Sequence, residues 1–278
     1  MIQWVVALVL VAVNALLWLS PVPHGLTVSF FDAGQGDSIL IEGPTGVQVL
    51  VDAGADSAAL RELGSRLPFW DRTLDAVVVT HPDKDHVGGM ADILERYEVG
   101  YILDPGIGNT TNAWESFVDA AEAERGTALV VARAGQRLDL GGGAYADILY
   151  PDGDVSKVKD TNAGSVVMRV VYGNTSVMLT GDAPSKVEQE LFLKWGYGLD
   201  SDILKAGHHG SKTSSLPDFV ESVSPEYVVF SRGCDNTYGH PHESVVSYFV
   251  SKKIKILDTC EDGTVTFVTD GVTLRPPF

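Results

Sequence analysis

Residues 77–89, Val-Val-Val-Thr-His-Pro-Asp-Lys-Asp-His-Val-Gly-Gly, constrain the fold more than any other stretch of this chain. A β-branched apolar run reads as a buried strand, and it ends abruptly at a polar cluster. Four groups able to ligate a metal follow within six residues: His81, Asp83, Asp85 and His86. Pro82 breaks any continuous helix there, and Gly88-Gly89 turns the backbone before a helix opening at Met90. Imidazole and carboxylate together suit zinc or manganese, and the lack of cysteine argues against a purely structural zinc knot. A loop at the end of a buried strand lets a rigid scaffold present such ligands.

The same arrangement recurs. Val51-Asp52 ends a strand on an acid, and Ser176 to Thr180 runs into Gly181-Asp182. Asp202 to Ala206 opens into Gly207-His208-His209-Gly210-Ser211, and Val228 to Ser231 leads to Tyr238-Gly239-His240-Pro241-His242. Six of the seven histidines fall in three such loops, a concentration that scattered core and surface histidines would not produce. Between these stretches, Leu26–Phe31 alternates like a half-buried strand, and 38–42 with 47–51 form a hairpin. Helices are expected at 58–67, at 114–125 and from Pro184 to a stop at Gly196, with a closing hairpin at 264–274.

Composition limits the function. Two hundred and seventy-eight residues, 45% of them apolar, can bury a large core, but the formal charge is −17. That balance excludes a protein that grips nucleic acid through a broadly basic surface. It leaves room for a phosphodiesterase, because bound divalent ions supply local positive charge. Residues 1–20 form a separate unit: Ile2 to Leu19 carries no charged residue and is long enough to span a bilayer. An uncleaved transmembrane anchor is the favoured reading. A signal peptide is the alternative, though no basic residue precedes the apolar run and Ser20-Pro21-Val22-Pro23 makes a poor cleavage site. Residues 21–25 are then a stiff linker and 26–278 a single domain. Cys234 and Cys260 each follow a strand, and they can pair if those strands are neighbours; free thiols are the alternative.

The cluster at 81–86 resembles the His-x-His-x-Asp-His signature of metallo-β-lactamase-fold hydrolases, with Asp83 in place of the second histidine. This variant, together with Phe31-Asp32-Ala33-Gly34-Gln35-Gly36-Asp37-Ser38, is similar to the extracytoplasmic hydrolase domain of ComEC-type competence proteins. The resemblance covers almost all of 26–278. It implies an α+β fold, an αββα four-layer sandwich of two sheets with helices outside, and a site at one edge. It also implies two divalent ions, manganese or zinc with magnesium as a third option. His81, Asp83 and Asp182 would hold one ion; Asp85, His86, His208 and Asp182 would hold the other. Asp52 would support a ligand histidine, and Asp37, Asn162, Ser211 and His242 would serve as supporting or substrate groups. Asn162 stands where the wider family places a metal-binding histidine, which makes the first site more oxygen-rich and shifts it toward manganese or magnesium. Asp85, His209, Lys205 and His240 are the candidates for activating water, stabilising charge or protonating a leaving oxygen.

The substrate implied by the resemblance is DNA, single-stranded, handled outside the cytoplasm alongside other DNA-uptake components. Two other readings stay open from residues alone. One is a metallohydrolase of a small ester, lactone or thioester, which the acidic composition and the lack of basic–aromatic interleaving favour. The other is a non-catalytic surface protein that keeps a metal for stability.

Overall fold

The computed structural model describes residues 25–277. The apolar segment at 1–20, with its anchor and signal-peptide readings, and all of the 21–25 linker except Gly25 lie outside the described residues. Among the described residues no helix is long and apolar enough to cross a membrane.

In chain order the strands are β1 (Leu26–Phe30), β2 (Ile39–Glu42), β3 (Gln48–Val51), β4 (Thr73–Val78), β5 (Glu98–Asp104), β6 (Ala128–Val131), β7 (Arg137–Gly141) and β8 (Ala144–Tyr150). They continue as β9 (Val167–Tyr172), β10 (Thr175–Leu179), β11 (Ile203–Lys205), β12 (Tyr227–Phe230), β13 (Lys255–Asp258), β14 (Val265–Thr269) and β15 (Leu274–Arg275). One sheet has the order β15-β14-β1-β2-β3-β4-β5-β6 and the other β13-β12-β11-β10-β9-β8-β7. The closing hairpin β14–β15 therefore returns to the first sheet, where Val28 stands opposite Phe267.

Alternation along the strands sorts side chains between two faces. Val49, Val51, Ala76 and Val78 point between the sheets and meet Met168, Val170, Val177 and Leu179. Leu50 and Val77 point the other way, onto helices Ala58–Arg66, Met90–Leu94 and Asn112–Ala123. On the second sheet Met178, Leu204 and Val228 face helices Ser185–Trp195, Pro217–Val223 and Glu243–Ser251. Three apolar layers between four structural layers make the αββα sandwich that the resemblance implied. β1 departs from expectation: all five residues are buried rather than alternate ones. It lies between β14 and β2 in mid-sheet, and Thr27 and Ser29, on the face opposite Val28 and Phe30, are buried as well.

Element boundaries shift where capping decides them. The helix expected from Trp114 begins at Asn112, because the Thr111 side chain accepts the Trp114 N–H at 3.3 Å. A short helical turn, Lys84–Val87, forms inside the histidine–aspartate loop that sequence alone left irregular.

Strand direction positions the site. β3, β4, β5 and β6 run parallel, as do β10, β11, β12 and β13. In open parallel sheets ligands bind beyond the carboxyl ends of the strands. Here β3, β4, β10, β11 and β12 lead directly into Asp52, His81, Asp182, His208 and Ser231. β12 and β13 are adjacent, which places Cys234 and Cys260 at one sheet edge, and they form a disulfide with Cα atoms 5.1 Å apart.

Candidate metal centre

The loop after β4 is held from below. Gly36, at φ +120°, passes so close to it that a Cβ there would meet the Asp85 carbonyl oxygen at 1.7 Å. Only glycine allows that approach. The Asp37 N–H then donates to the same carbonyl at 3.2 Å, and the Gly54 N–H donates to the Asp37 carbonyl at 2.8 Å.

Three buried imidazoles face inward with their tautomers set. His86 Nδ1 stands 2.7 Å from Asp52 Oδ2. Asp52 also accepts the Thr80 N–H and hydroxyl, each at 2.7 Å. With its own proton committed to Asp52, the Thr80 oxygen receives His81 Nδ1–H at 3.0 Å. His209 Nδ1–H donates to the Ser231 carbonyl at 2.7 Å. In each ring Nδ1–H is thereby engaged and Nε2 is the nitrogen turned to the site, the orientation metal-ligating histidines require. The Nε2 atoms of His81, His86 and His209 are all buried without a hydrogen-bond partner.

Carboxylates converge on these atoms. Asp182 Oδ2 lies 3.3 Å from Nε2 of both His86 and His209, and Asp85 Oδ2 lies 3.3 Å from His209 Nε2. One ligand atom from each of Asp85, His86, Asp182 and His209 falls within 4.8 Å of the others. Asp37, Asp52 and His86 form a second close group. There the imidazole nitrogen is already committed to Asp52, so that group supports the first. Beside the tight cluster, Asp83 Oδ2 lies 3.8 Å from His81 Nε2, and His208 Nε2 lies 3.6 Å from Asp182 Oδ2. The orphaned nitrogens and inward carboxylates fit divalent cations: one position offered by Asp85, His86, Asp182 and His209, a second flanked by His81, Asp83 and His208 across Asp182.

Electrostatics show the same demand for positive charge. Burial opposes charge on Asp182, but His209, His86 and Lys205 outweigh it and hold the carboxyl well below its ordinary range. Burial likewise opposes charge on Asp37, and Lys205 and His209 bring it down to about 2. Burial disfavours protonated His86 and His209, yet Asp182 and its neighbours raise both well above the ordinary histidine value. Protons on these rings stand in for the cations that the carboxylates call for. His81 goes the other way, down to about 3, through burial and the neighbouring His86.

Several expected roles change on this geometry. His209, not His208, closes the tight cluster. Both residues have left-handed backbone, φ 55° and 49°, and this turn sends the second ring inward while His208 keeps 28% side-chain exposure. Lys205, expected among the proton-transfer groups, is wholly buried, with Nζ 2.6 Å from Asp37 Oδ2, 2.8 Å from the Gly181 carbonyl and 3.4 Å from Asp182 Oδ1. It positions both carboxylates and does not reach the surface. His242 is taken up as a helix cap, its Nδ1 accepting the Ser244 N–H at 3.3 Å. Ser211 acts at one remove: its hydroxyl contacts that of Thr213 at 3.0 Å, which lies 3.4 Å from His208 Nδ1. Asn162 sits in the turn Thr161–Gly164, its Oδ1 buried without a partner, next to the Thr161 hydroxyl that donates to Asp83 at 2.7 Å. His240 stays at the rim, its ring centroid 5.4 Å from that of His208, and burial lowers its pKa to about 4.

Sequence reasoning missed Thr80, Thr161, Ser165 and Ser231. Thr80 reads simply as the end of a β-branched strand, Ser165 receives the Asp182 N–H at 3.2 Å, and Ser231 acts on His209 through a backbone carbonyl, which leaves no side-chain signature.

The model of the metallo-β-lactamase superfamily matches residues 31–233. The chain belongs to that superfamily. Competence proteins are among its curated relatives. It is 31% identical over 257 residues to ComE operon protein 3 of Bacillus subtilis, covering 86% of this chain and 32% of that protein. It is 36% identical over 242 residues to competence protein ComA of Neisseria gonorrhoeae, covering 86% and 32% respectively. The ComEC-type resemblance is thus carried by relatives of which this chain spans about a third. Among solved structures, the diiron β-hydroxylase CmlA from Streptomyces venezuelae superposes with a TM-score of 0.58 at 16% identity, over 90% of this chain and 55% of that one. The metallo-β-lactamase fold protein YhfI of Bacillus subtilis gives 0.56 at 14% identity, over 84% and 95%. At such identities these two speak for the fold alone.

Proposed function

We propose that this protein is a divalent-metal-dependent phosphodiesterase that cleaves DNA, single strands in particular, during DNA uptake. The observation that carries the reading is the convergence of the unpartnered Nε2 atoms of His86 and His209 on the Asp182 carboxylate, with Asp85 also against His209 and the unpartnered His81 Nε2 facing Asp83, in a chain similar to competence proteins. Asp85, His86, Asp182 and His209 would hold one ion, and His81, Asp83 and His208, sharing Asp182, the other. Their mixed imidazole–carboxylate set suits manganese or zinc, with magnesium next. When bound, the pair supplies activation of the attacking water and stabilisation of charge developing on the phosphoryl oxygens.

The chain's own groups do the rest. Asp52 fixes the His86 tautomer, and Lys205 holds Asp37 and Asp182 in place. Of the residues expected to move a proton, His240 is the one left at the rim, and as a neutral imidazole at pH 7 it offers a hydrogen bond to a phosphate or leaving oxygen. Charge distribution supports a polyanion despite the net −17. Among the described residues Lys84, Lys157, Lys159 and Lys212 are exposed and make no ion pair. Lys84 lies between Asp83 and Asp85, Lys159 two residues before Thr161 and Lys212 three after His209, so exposed cations stand on the loops that build the site, as Arg96, Arg125 and Lys253 do elsewhere on the surface. Such local patches attract nucleic acid whatever the overall balance.

The location we propose is extracytoplasmic, with residues 1–20 as the membrane anchor; secretion after signal cleavage is the alternative. The Cys234–Cys260 bridge supports an oxidising compartment. The test uses metal-free protein, labelled single- and double-stranded DNA, and added Mn²⁺, Zn²⁺ or Mg²⁺. An Asp85→Ala/His86→Ala variant serves as control. Metal-dependent cleavage that the control lacks supports the proposal and names the ion. Binding of about two ions per chain without DNA cleavage would transfer the site to a small-molecule ester, lactone or thioester.

A further inference from the structure

Beside the metal centre stands an aromatic ring that neither the ion site nor the fold employs. Tyr238 is 70% exposed, so most of its ring is open to a partner. Its ring is stacked on that of His240, with centroids 5.8 Å apart and planes inclined by 24°. His240 in turn lies 5.4 Å from His208, whose Nε2 is 3.6 Å from Asp182. A continuous series of contacts therefore links the exposed ring to the shared carboxylate of the site.

The loop that carries Tyr238 is braced at two points. The Cys234–Cys260 bridge ties its start to the turn after β13. Asn236 closes it across the middle: its Nδ2 donates to the carbonyls of Gly233 at 2.9 Å and His240 at 2.8 Å, and its Oδ1 accepts the His240 N–H at 3.0 Å. A ring held in advance on a braced loop loses little conformational freedom when a partner stacks on it.

We infer that Tyr238, backed by His240, is a stacking platform for a nucleobase next to the scissile phosphate of single-stranded DNA. The inference rests on the nuclease reading above and extends it to how the strand is gripped. Proteins that hold single strands without sequence preference pair cations along the backbone with aromatic rings under the bases. The unpaired lysines on the site loops and Tyr238 supply both parts. A double helix keeps its bases stacked on each other, so the platform selects for unpaired strands.

The experiment compares the full chain with Tyr238→Ala and Tyr238→Phe, each loaded with Mn²⁺, on a single-stranded oligonucleotide and on the same strand with its bases replaced by abasic sites. Tyr197→Ala, at a ring still more exposed than Tyr238 and borne by a different segment, is the control for general surface effects. Loss of the ring is expected to raise KM on the normal strand roughly tenfold with little change in kcat. Tyr238→Phe, which keeps the ring, should stay within about twofold of wild type. The gap between wild type and Tyr238→Ala should close on the abasic strand. A 2-aminopurine base in the strand gives a readout independent of turnover: its fluorescence should be quenched on mixing with wild type and with Tyr238→Phe, and less with Tyr238→Ala. Wild-type cleavage with an unchanged KM in Tyr238→Ala, or an equal penalty on the abasic strand, would overturn the platform and leave the nuclease reading standing. No cleavage of either strand by wild type would remove both.

Discussion

Oδ2 of Asp52 and Nδ1 of His86 lie 2.7 Å apart, with both side chains completely buried. Asp52 adopts left-handed backbone, φ 58°, to make this contact, a conformation that costs energy outside glycine. The carboxylate aims the opposite nitrogen of the ring at Asp182, 3.3 Å away. Replacing Asp52 with asparagine keeps the shape but weakens the hold on the tautomer. Metal affinity should fall about 10- to 100-fold, as measured by competition with a chromophoric chelator. An unchanged affinity would mean that packing alone orients the ring.

The choice between adjacent histidines can be tested by thermal shift. Saturating Mn²⁺ at about 100 times Kd should stabilise the folded protein by about 2.7 kcal/mol. His209→Ala removes a ligand from the tight cluster, so most of that gain should vanish. His208→Ala, at the half-exposed outer position, should retain more of it. The reverse order would support the assignment that the resemblance implies.

Lys205 is a buried ammonium shared by Asp37 and Asp182. Lys205→Met removes the ammonium shared by two buried carboxylates and leaves them only the neighbouring imidazoles, so urea unfolding of the metal-free protein should show a loss of about 3–5 kcal/mol. The Asp37→Asn/Lys205→Met double variant should recover part of it, because it removes one stranded charge. Simple additivity of the two single losses would show that the pair is not coupled.

Glu188 gives the fold a pH dependence away from the ion site. Burial pushes its carboxyl up to about 7, against the N–H groups of Leu216 and Ser215, which favour the ionised form. A carboxyl with a raised folded value binds its proton more tightly in the folded state than in the unfolded one. Its contribution is therefore fully present below about pH 4.5 and is lost as pH rises through about 7, a change of about 3 kcal/mol. Glu188→Gln cannot titrate, so the stability difference between wild type and variant should move against wild type from pH 5 to pH 8. A difference constant over that range would show that Glu188 is ionised throughout.

Much of the site was legible because its ligands are local to strand ends. A buried strand must stop somewhere, and at 77–81 the switch from valines to histidine and aspartate marks the stop and the chemistry together. Val51-Asp52 and Leu179 to Asp182 follow the same rule, so candidate ligands could be placed at carboxyl ends before any sheet was known. Neighbouring strands 228–231 and 254–257 were the condition set for the disulfide, and β12 and β13 meet it. The residues that brace the ligands left weaker traces. Thr80 looks like any strand threonine, and the Ser231 carbonyl exists at every residue type.

By itself, then, the sequence determined the strand-end loops and the pool of ligands, because periodicity and local chemistry act over a few residues, while the layers followed from the resemblance those motifs carry. Tertiary structure decided which pool members point inward. His208 and His209 are indistinguishable in composition, and their orientation depends on consecutive left-handed backbone angles and a carbonyl from β12's end. Lys205 meets Asp37 only because the two sheets pack face to face, and that burial turns a candidate proton donor into a brace. Side-chain direction at loop positions is set by contacts between segments far apart in the chain, which no local pattern encodes.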